Sequence, residues 1–317
     1  MKFNVAGKTF QQHLQAVSKV INAKNTLSIL DNFLLRVEGD SLTIIGADSE
    51  NLMRATMAVS DSDGDGAIAL PAKMLLEITK EISNQPISFD VNEETLDIKV
   101  DFESGQFNFT GIRADEFPDK LPDMAEAVQI SVPAEMVKKG IDNTLYSVST
   151  ETIRPIMTGI FWDIHEDDIT FVASDTHKLV KYVNSMVAPQ QTASFIMPSK
   201  PASIIRNVLG KEDENVVITM DAKSATFEFG PYMISCRFIK GNYPNYNRVI
   251  PQQNPFKLQI DRQSLLLAIR RVAIFANKAS NLVKFTIDND RVLLEAQDLD
   301  YQTQARETVA CSYEGNK

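Results

Sequence analysis

The chain has 317 residues, of which 44% are hydrophobic and 23% charged, with a formal net charge of −10 at pH 7. This length predicts two or three domains of an ordinary soluble globular protein. No run approaches the roughly 20 apolar residues of a membrane helix, and the N-terminus has no apolar signal segment. Two cysteines and three histidines provide no metal cluster or disulfide framework. We therefore expect a cytoplasmic protein without a cofactor, and the acidic total argues against nucleic acid unless basic residues gather on one face.

A helix followed by a β-hairpin recurs three times along the chain. Phe10, Leu14 and Val17 have the spacing of an amphipathic helix in the first copy. Two β-rich runs, 33–37 and 42–47, then flank a turn that contains glycine, which predicts a hairpin. The corresponding elements are a helix from Pro133 with strands 159–164 and 169–174 in the second copy, and a helix 265–275 with strands 283–287 and 292–296 in the third.

An aspartate ends each hairpin. These residues are Asp48, Asp175 and Asp298, separated by 127 and 123 residues. In every copy the acid lies 11 residues after the last residue before the hairpin turn. Aspartate at a turn accepts hydrogen bonds from nearby backbone N–H groups, and we assign that role to all three. The repeat predicts an α+β protein of three similar domains, each with two helices packed on antiparallel sheets, over residues 1–127, 128–251 and 252–317.

The second half of the repeat is visible only in the first two copies. Leu-Pro-Ala-Lys at 70–73 corresponds to Met-Pro-Ser-Lys at 197–200, and a second helix and several β-rich runs follow each. The proline lies 23 residues after the aspartate in both copies, whereas the same step from Asp298 passes Lys317. We therefore expect the third domain to be incomplete, with the chain ending about halfway through it.

Three segments resemble motifs of the DNA polymerase III beta subunit family, the bacterial sliding clamps. They are SDTHKL at 174–179, NYPNYNRVIP at 242–251 and NTLSIL at 25–30, in which Ser28 replaces the proline of the family pattern. The resemblance implies three DNA-clamp domains in a head-to-tail homodimeric ring around duplex DNA, with helices inside and sheets outside. It also implies a non-catalytic subunit that makes the polymerase processive. The implied partners are double-stranded DNA without sequence preference, the polymerase III catalytic subunit, the clamp loader and other proteins with clamp-binding motifs.

The same resemblance implies a hydrophobic pocket that receives short peptides from these partners. Apolar side chains would form its floor, since methionine adapts to varied peptides, and polar ones would bind the peptide at the rim. Packing at a domain boundary is the alternative explanation of these residues. The expected pocket consists of Met157, Ser174, Thr176, His177, Lys178, Leu179, Pro244, Arg248 and Val249.

Basic residues on the predicted helices are candidates for contact with DNA phosphates in such a ring. No pattern for base recognition or base stacking accompanies them, so the contact would be independent of sequence. Solvated helix faces are the simpler explanation of any one of them. The candidates are Lys24, Lys73, Lys80, Lys138, Lys139, Lys200, Arg206, Arg270, Arg271 and Lys278.

Four large apolar residues match the family's contact between subunits. Phe107 and Phe109 alternate on a predicted strand of the first domain, and Ile274 and Phe275 end the third-domain helix. Burial in their own domains is the alternative. If half of the third domain is missing, we expect a weakened dimer or a monomer.

Two rival functions are compatible with parts of the sequence. Asp175 and His177 could act as the acid and base of a hydrolase, although the neighbouring segment supplies no activated nucleophile. A repeat scaffold that binds proteins and never DNA is the other rival. Replacement of His177 would abolish turnover in a hydrolase but only weaken peptide binding in a clamp.

Overall fold

The computed structural model describes residues 1–124, 126–185 and 189–315. The chain divides into two compact units, Met1–Pro244, named here the large unit, and Asn245–Lys317, the small unit. The large unit contains the first two sequence copies. The exact bounds of the three predicted domains stay a prediction.

The elements alternate as the repeat predicts, with additional strands. Those of the first copy are β1 (Lys2–Ala6), α1 (Gly7–Val17), β2 (Asn32–Glu38), β3 (Ser41–Ala47), β4 (Asn51–Ala58), β5 (Ser60–Asp63), β6 (Gly66–Pro71), α2 (Ala72–Ile82), β7 (Pro86–Val91), β8 (Asp97–Phe102), β9 (Gly105–Thr110) and β10 (Ile112–Arg113). Those of the second are β11 (Val128–Pro133), α3 (Ala134–Thr144), β12 (Gly159–Ile164), β13 (Ile169–Ser174), β14 (Leu179–Asn184), β15 (Ala193–Pro198), α4 (Ser199–Val208), β16 (Asn215–Met220), β17 (Ser224–Phe229) and β18 (Tyr232–Arg237). The small unit contains β19 (Lys257–Ile260), α5 (Arg262–Ala273), β20 (Lys284–Ile287), β21 (Arg291–Asp298) and β22 (Thr303–Glu314).

One sheet runs through both copies of the large unit. Its order is β10-β6-β2-β3-β4-β18-β17-β16-β11. The first copy joins the second where β4 pairs antiparallel with β18, with Asn51 opposite Cys236 and Ala55 opposite Tyr232. Two further sheets, β5-β1-β7-β8-β9 and β14-β13-β12-β15, complete the large unit, and β19-β22-β21-β20 forms the sheet of the small unit. The α+β class with antiparallel sheets is confirmed.

Amphipathic helices pack on these sheets and bury a large core. Helix α1 packs against α2 and α3 against α4, and their apolar faces enter a core that extends through the large unit. Trp162 is fully buried at its centre, with its ring 4.4 Å from that of Phe171 and 5.4 Å from that of Phe195. No helix in the described ranges is long and apolar enough to cross a membrane.

Candidate nucleic-acid and partner-binding surfaces

The three repeated aspartates hold the same turn. One carboxylate oxygen, Oδ1, accepts hydrogen bonds from the backbone N–H groups two and three residues later in every copy. The donors are Glu50 and Asn51 at 2.8 and 2.7 Å from Asp48, His177 and Lys178 at 3.0 and 2.9 Å from Asp175, and Asp300 and Tyr301 at 2.9 and 3.3 Å from Asp298. The prediction that these acids build turns is confirmed.

The other carboxylate oxygen, Oδ2, has a different partner in each copy. In the first copy Lys200, from the second copy, donates to Asp48 at 2.6 Å. In the second copy Lys178, three residues along, donates to Asp175. In the third copy the side-chain amide of Asn277 donates to Asp298 at 3.3 Å, and no cationic group among the described residues does so. All three copies therefore have the same turn, but the group that binds the second carboxylate oxygen differs from copy to copy.

Lys200 fastens the second copy to the first. Besides the Asp48 carboxylate, its ammonium group donates to the Asn22 side chain at 2.6 Å and to the Val20 carbonyl. The Asp48 side chain is only 5% exposed. Its burial raises the pKa, but the bonds from Lys200 and from the N–H groups of the turn outweigh that cost and leave the pKa below its ordinary value. An ammonium group with three protein acceptors is a poor candidate for phosphate contact, and sequence reasoning did not anticipate this role.

The second copy presents its turn as an exposed tip. Thr176 and His177 are exposed, and Thr176 has φ of +79°, which is strained for a β-branched residue. The hydrogen bond from Lys178 and those from the N–H groups lower the pKa of Asp175 well below its usual range. Strained backbone persists where surrounding bonds fix it and is frequent at binding sites. The structure thus distinguishes this turn from the other two, and its residues 176–179 (Thr-His-Lys-Leu) also differ from 49–52 (Ser-Glu-Asn-Leu) and 299–302 (Leu-Asp-Tyr-Gln).

Five of the seven expected pocket residues of the large unit lie in or at the ends of the turn that joins β13 to β14. Strand β13 pairs with β12 and leads into the turn at 174–179, which passes directly into β14. Met157 is half-buried just before β12. Pro244 follows Tyr243, whose ring stacks on Phe161 of β12 at 4.8 Å. Arg248 and Val249 belong to the small unit, where both are exposed, Val249 by 68%.

Half of the predicted DNA-facing residues already have protein partners. The occupied groups are Lys138, bound to the Leu209 carbonyl at 3.1 Å, Lys139, paired with Glu135 at 2.7 Å, Arg206, 3.9 Å from Asp142, Arg271, paired with Glu307, and Lys200. Of the ten candidates, Lys24, Lys73, Lys80, Arg270 and Lys278 are exposed and have no ion pair or side-chain hydrogen bond among the described residues. The occupied groups are the weaker candidates, because leaving an existing partner offsets the gain from a phosphate.

The four candidate interface residues fall into two kinds. Phe107 and Phe109 lie on the same face of β9, half-buried against the core, and Phe107 stacks on Phe102 at 4.9 Å. Ile274 and Phe275 follow α5 and are 67% and 40% exposed. The alternation predicted for the strand is therefore present. Phe107 and Phe109 are therefore explained in part by packing within their own domain. The exposed Ile274 is not explained in that way.

Repeated domains of helices on antiparallel sheets, with a sheet continuous from one domain to the next, define a clamp-like class of protein. The chain belongs to the DNA polymerase III beta subunit family. The models of its N-terminal, central and C-terminal domains match residues 1–122, 131–245 and 247–317. Because the C-terminal model matches 247–317, the expected incompleteness of the third domain is not confirmed.

Curated relatives and solved structures agree with this assignment. The chain is 29% identical to the beta sliding clamp of Synechococcus elongatus, over 90% of the chain and 78% of the relative, and 26% identical to that of Staphylococcus epidermidis, over 99% and 85%. Its fold matches sliding clamps from Pseudomonas aeruginosa (TM-score 0.92, 25% identity, 99% and 85% covered) and Bartonella birtlesii (0.91, 26%, 100% and 85%), both bound to griselimycin. The protein is therefore a sliding clamp, a non-catalytic processivity factor of DNA replication.

Proposed function

We propose that two copies of this chain close head to tail into a ring that encircles duplex DNA and tethers the polymerase through the pocket around His177. The ring would hold DNA by topology, so that it slides while it stays attached. Family membership and the strand pairing within the large unit support this proposal. The polymerase III catalytic subunit, the clamp loader and other proteins with clamp-binding motifs would share the pocket, in the cytoplasm with the chromosome.

Strand edges support ring closure in a specific register. Within the large unit, β4 of one copy pairs with β18 of the next. Strand β9 lies 127 residues before β18 and is therefore its counterpart in the first copy. It is the last strand of its sheet, so one of its edges has no neighbouring strand in the described structure. Strand β22 is the counterpart of β4 in the third copy. In the first copy Ala47 of β3 pairs with Leu52 of β4 just before the turn aspartate, and Gln297 of β21 pairs with Gln304 of β22 in the same way. Beyond β21, β22 pairs only with β19, through residues 311–314, so its segment 303–307 keeps one unpaired edge in the described structure.

Unpaired strand edges recruit further strands. Repetition of the internal pairing between copies would set Phe107 opposite Ala305 and Phe109 opposite Thr303. Phe107 and Phe109 would then meet the surface that holds Ile274 and Phe275, which explains the exposure of Ile274. Inside such a ring, Lys24, Lys73, Lys80, Arg270 and Lys278 are the candidates free to approach phosphates, and the occupied lysines and arginines would add a weaker field.

Topological retention tests the ring directly. The clamp would be loaded onto a nicked circular plasmid with a clamp loader and ATP, and the complex isolated by gel filtration. We expect the protein to stay with the circle in high salt and to be released when a restriction enzyme linearises the DNA, because only a closed ring is held without affinity. Equal retention on circular and linear DNA would contradict the proposal, and a scaffold that never binds DNA would not be retained at all.

Peptide binding tests the pocket. His177→Ala is expected to weaken binding of a fluorescent peptide carrying the clamp-binding motif of the polymerase catalytic subunit by about tenfold, since the exposed imidazole lies at the rim and interface anchors commonly contribute this much. Two related clamps bind griselimycin, so we expect this chain to bind it as well, and its displacement of the peptide would show that the two ligands share the pocket.

His165→Ala is the matched control for the pocket experiment. His165 is half-exposed in the turn between β12 and β13, at the opposite end of the same hairpin, and pairs with Asp163 at 3.4 Å. Its replacement should leave peptide affinity unchanged. If both variants changed peptide affinity equally, the 174–179 turn would not form part of the pocket. If the parent chain showed hydrolytic turnover that His177→Ala abolished, the protein would instead be a hydrolase.

A further inference from the structure

The bond from Lys200 to Asp48 has a counterpart that remains unmade within the described chain. Lys200 is the second residue of α4, directly after the Pro198–Ser199 step, and it reaches back to the turn aspartate of the preceding copy. In the same place, α4 packs on the 3₁₀ helix Ser18–Val20 that follows α1. The lysine therefore accompanies the β4–β18 pairing as a second connection between consecutive copies.

Lys73 occupies the position of Lys200 in the first copy. It lies 127 residues earlier and is likewise the second residue of its helix, α2, after a strand that ends in proline. Unlike Lys200, it is exposed and has no ion pair or hydrogen bond among the described residues. The first copy thus presents the donor without an acceptor.

The small unit presents the acceptor without a donor. Asp298 is 4% exposed, its turn matches that of Asp48, and no cationic group in the described ranges lies within ion-pair distance of it. A buried carboxylate without a cation is costly, because the charge has lost water and gained no opposite charge. An alignment of α1 with α5 in sequence that sets Val17 opposite Val272 also sets Asn22 opposite Asn277.

Asn277, the counterpart of Asn22, lies in direct contact with the acid. Its side-chain amide donates to Asp298 Oδ2 at 3.3 Å, the oxygen equivalent to the one on Asp48 that accepts from Lys200. In the first copy the equivalent Asn22 accepts from the same ammonium group. Both members of the acceptor pair are therefore present in the small unit, where Oδ1 of Asn277 also accepts hydrogen bonds from the backbone N–H groups of Ala279 and Ser280 at 3.0 and 3.3 Å.

We propose that Lys73 of one copy binds Asp298 and Asn277 of a second copy, as Lys200 binds Asp48 and Asn22 within the chain. The inference rests on the proposed head-to-tail ring, in which the first domain of one copy follows the third domain of the other. A closed dimer would contain two such contacts. Lys73 then serves subunit assembly and leaves the set of residues that approach DNA.

A double-mutant cycle on the full chain tests the contact. Lys73→Met keeps the length of the side chain and removes its charge, and Asp298→Asn removes the charge while it keeps the oxygen that accepts from the turn. Each variant is expected to raise the dimer dissociation constant, measured by sedimentation velocity, by at least about tenfold, because each breaks a desolvated charge pair. The dissociation constant of the double variant should not exceed that of the single variant with the larger effect, since the two groups share one interaction.

Lys80→Met is the control, because Lys80 is an exposed lysine on the same helix without a partner in the described structure. It should leave the dissociation constant unchanged. A dimer that forms normally in both single variants would overturn the lysine contact and leave the ring intact, as would effects of the two variants that simply add. Absence of any dimer in the parent chain, up to the highest soluble concentration, would overturn the ring and the contact together. Weaker DNA retention by Lys73→Met at an unchanged dissociation constant would assign Lys73 to DNA and overturn the contact.

Discussion

Replacement of Lys200 by methionine is expected to lower the free energy of unfolding of the large unit by about 1.5 to 3 kcal/mol, the range for losing a hydrogen bond to a charged group. The variant leaves the Asp48 carboxylate, 5% exposed, without its cation. Methionine preserves most of the side-chain volume, so the loss reports the charge and its bonds rather than packing. We expect little change in DNA contact, since this ammonium group is already occupied.

The single tryptophan makes the Lys200→Met measurement specific to the large unit. Trp162 is fully buried there, so its fluorescence follows unfolding of this unit in urea. Lys80→Met, which removes a solvated charge from the related helix α2, should change the free energy of unfolding by no more than about 0.5 kcal/mol. Equal stability of Lys200→Met and the parent chain would show that the bonds of Lys200 contribute nothing to the junction between the copies.

The effect of Lys200→Met should depend on pH in a defined direction. The pKa of Asp48 in the folded protein lies below its ordinary value of 3.8. A depressed pKa contributes stability above the unfolded value and loses it as the pH falls toward the folded one. Because the variant loses the bond from Lys200, its deficit should be full near neutral pH and shrink as the pH falls below 3.8.

Local patterns in the sequence were sufficient to predict the repeat and its turns. The aspartate at the end of each hairpin and its 11-residue spacing depend on contacts only two or three residues apart, which sequence shows directly. The hairpins β2–β3 and β12–β13 were predicted for the same reason, since alternation and a turn residue are local signals. These elements were enough to predict three similar domains, with which the resemblance to the family agrees.

Contacts between distant residues could not be predicted in this way. Lys200 is 152 residues from Asp48, and helical spacing identifies only a basic residue at the start of a helix. Strands β4 and β18 likewise pair although they are far apart in the chain. The residue pattern of each strand predicts a strand but does not identify its partner. Strand β22 was missed because Glu307 interrupts the apolar alternation of its inner face, where it pairs with Arg271 of α5. Four of the ten predicted DNA-facing residues have such distant partners, namely Lys138, Lys200, Arg206 and Arg271.

Replacement of Ile274 by lysine is expected to open the proposed ring and shorten retention on circular DNA by about a hundredfold, a loss within the range of interface hot spots. Ile274 is 67% exposed and directly follows α5, so the change removes apolar contact area without creating a cavity in the small unit. A cation is favourable near a helix C-terminus, which protects the fold of the variant. A charge placed at an apolar contact between subunits would have to lose its water on closure, and this cost falls on the ring alone.

Leu282→Lys is the matched control for the loss of retention. Leu282 is also 67% exposed and lies in the same unit, outside the four residues assigned to ring closure. It carries the same added charge, so any general gain in affinity for DNA appears equally in both variants. Retention should therefore fall only in Ile274→Lys, while both variants bind the pocket peptide like the parent chain, because that site is borne by elements other than α5. If Ile274→Lys were retained on closed circles as long as Leu282→Lys, the apolar end of α5 would have no part in closure. The head-to-tail contact would then depend on the strand edges and the Lys73 contact alone.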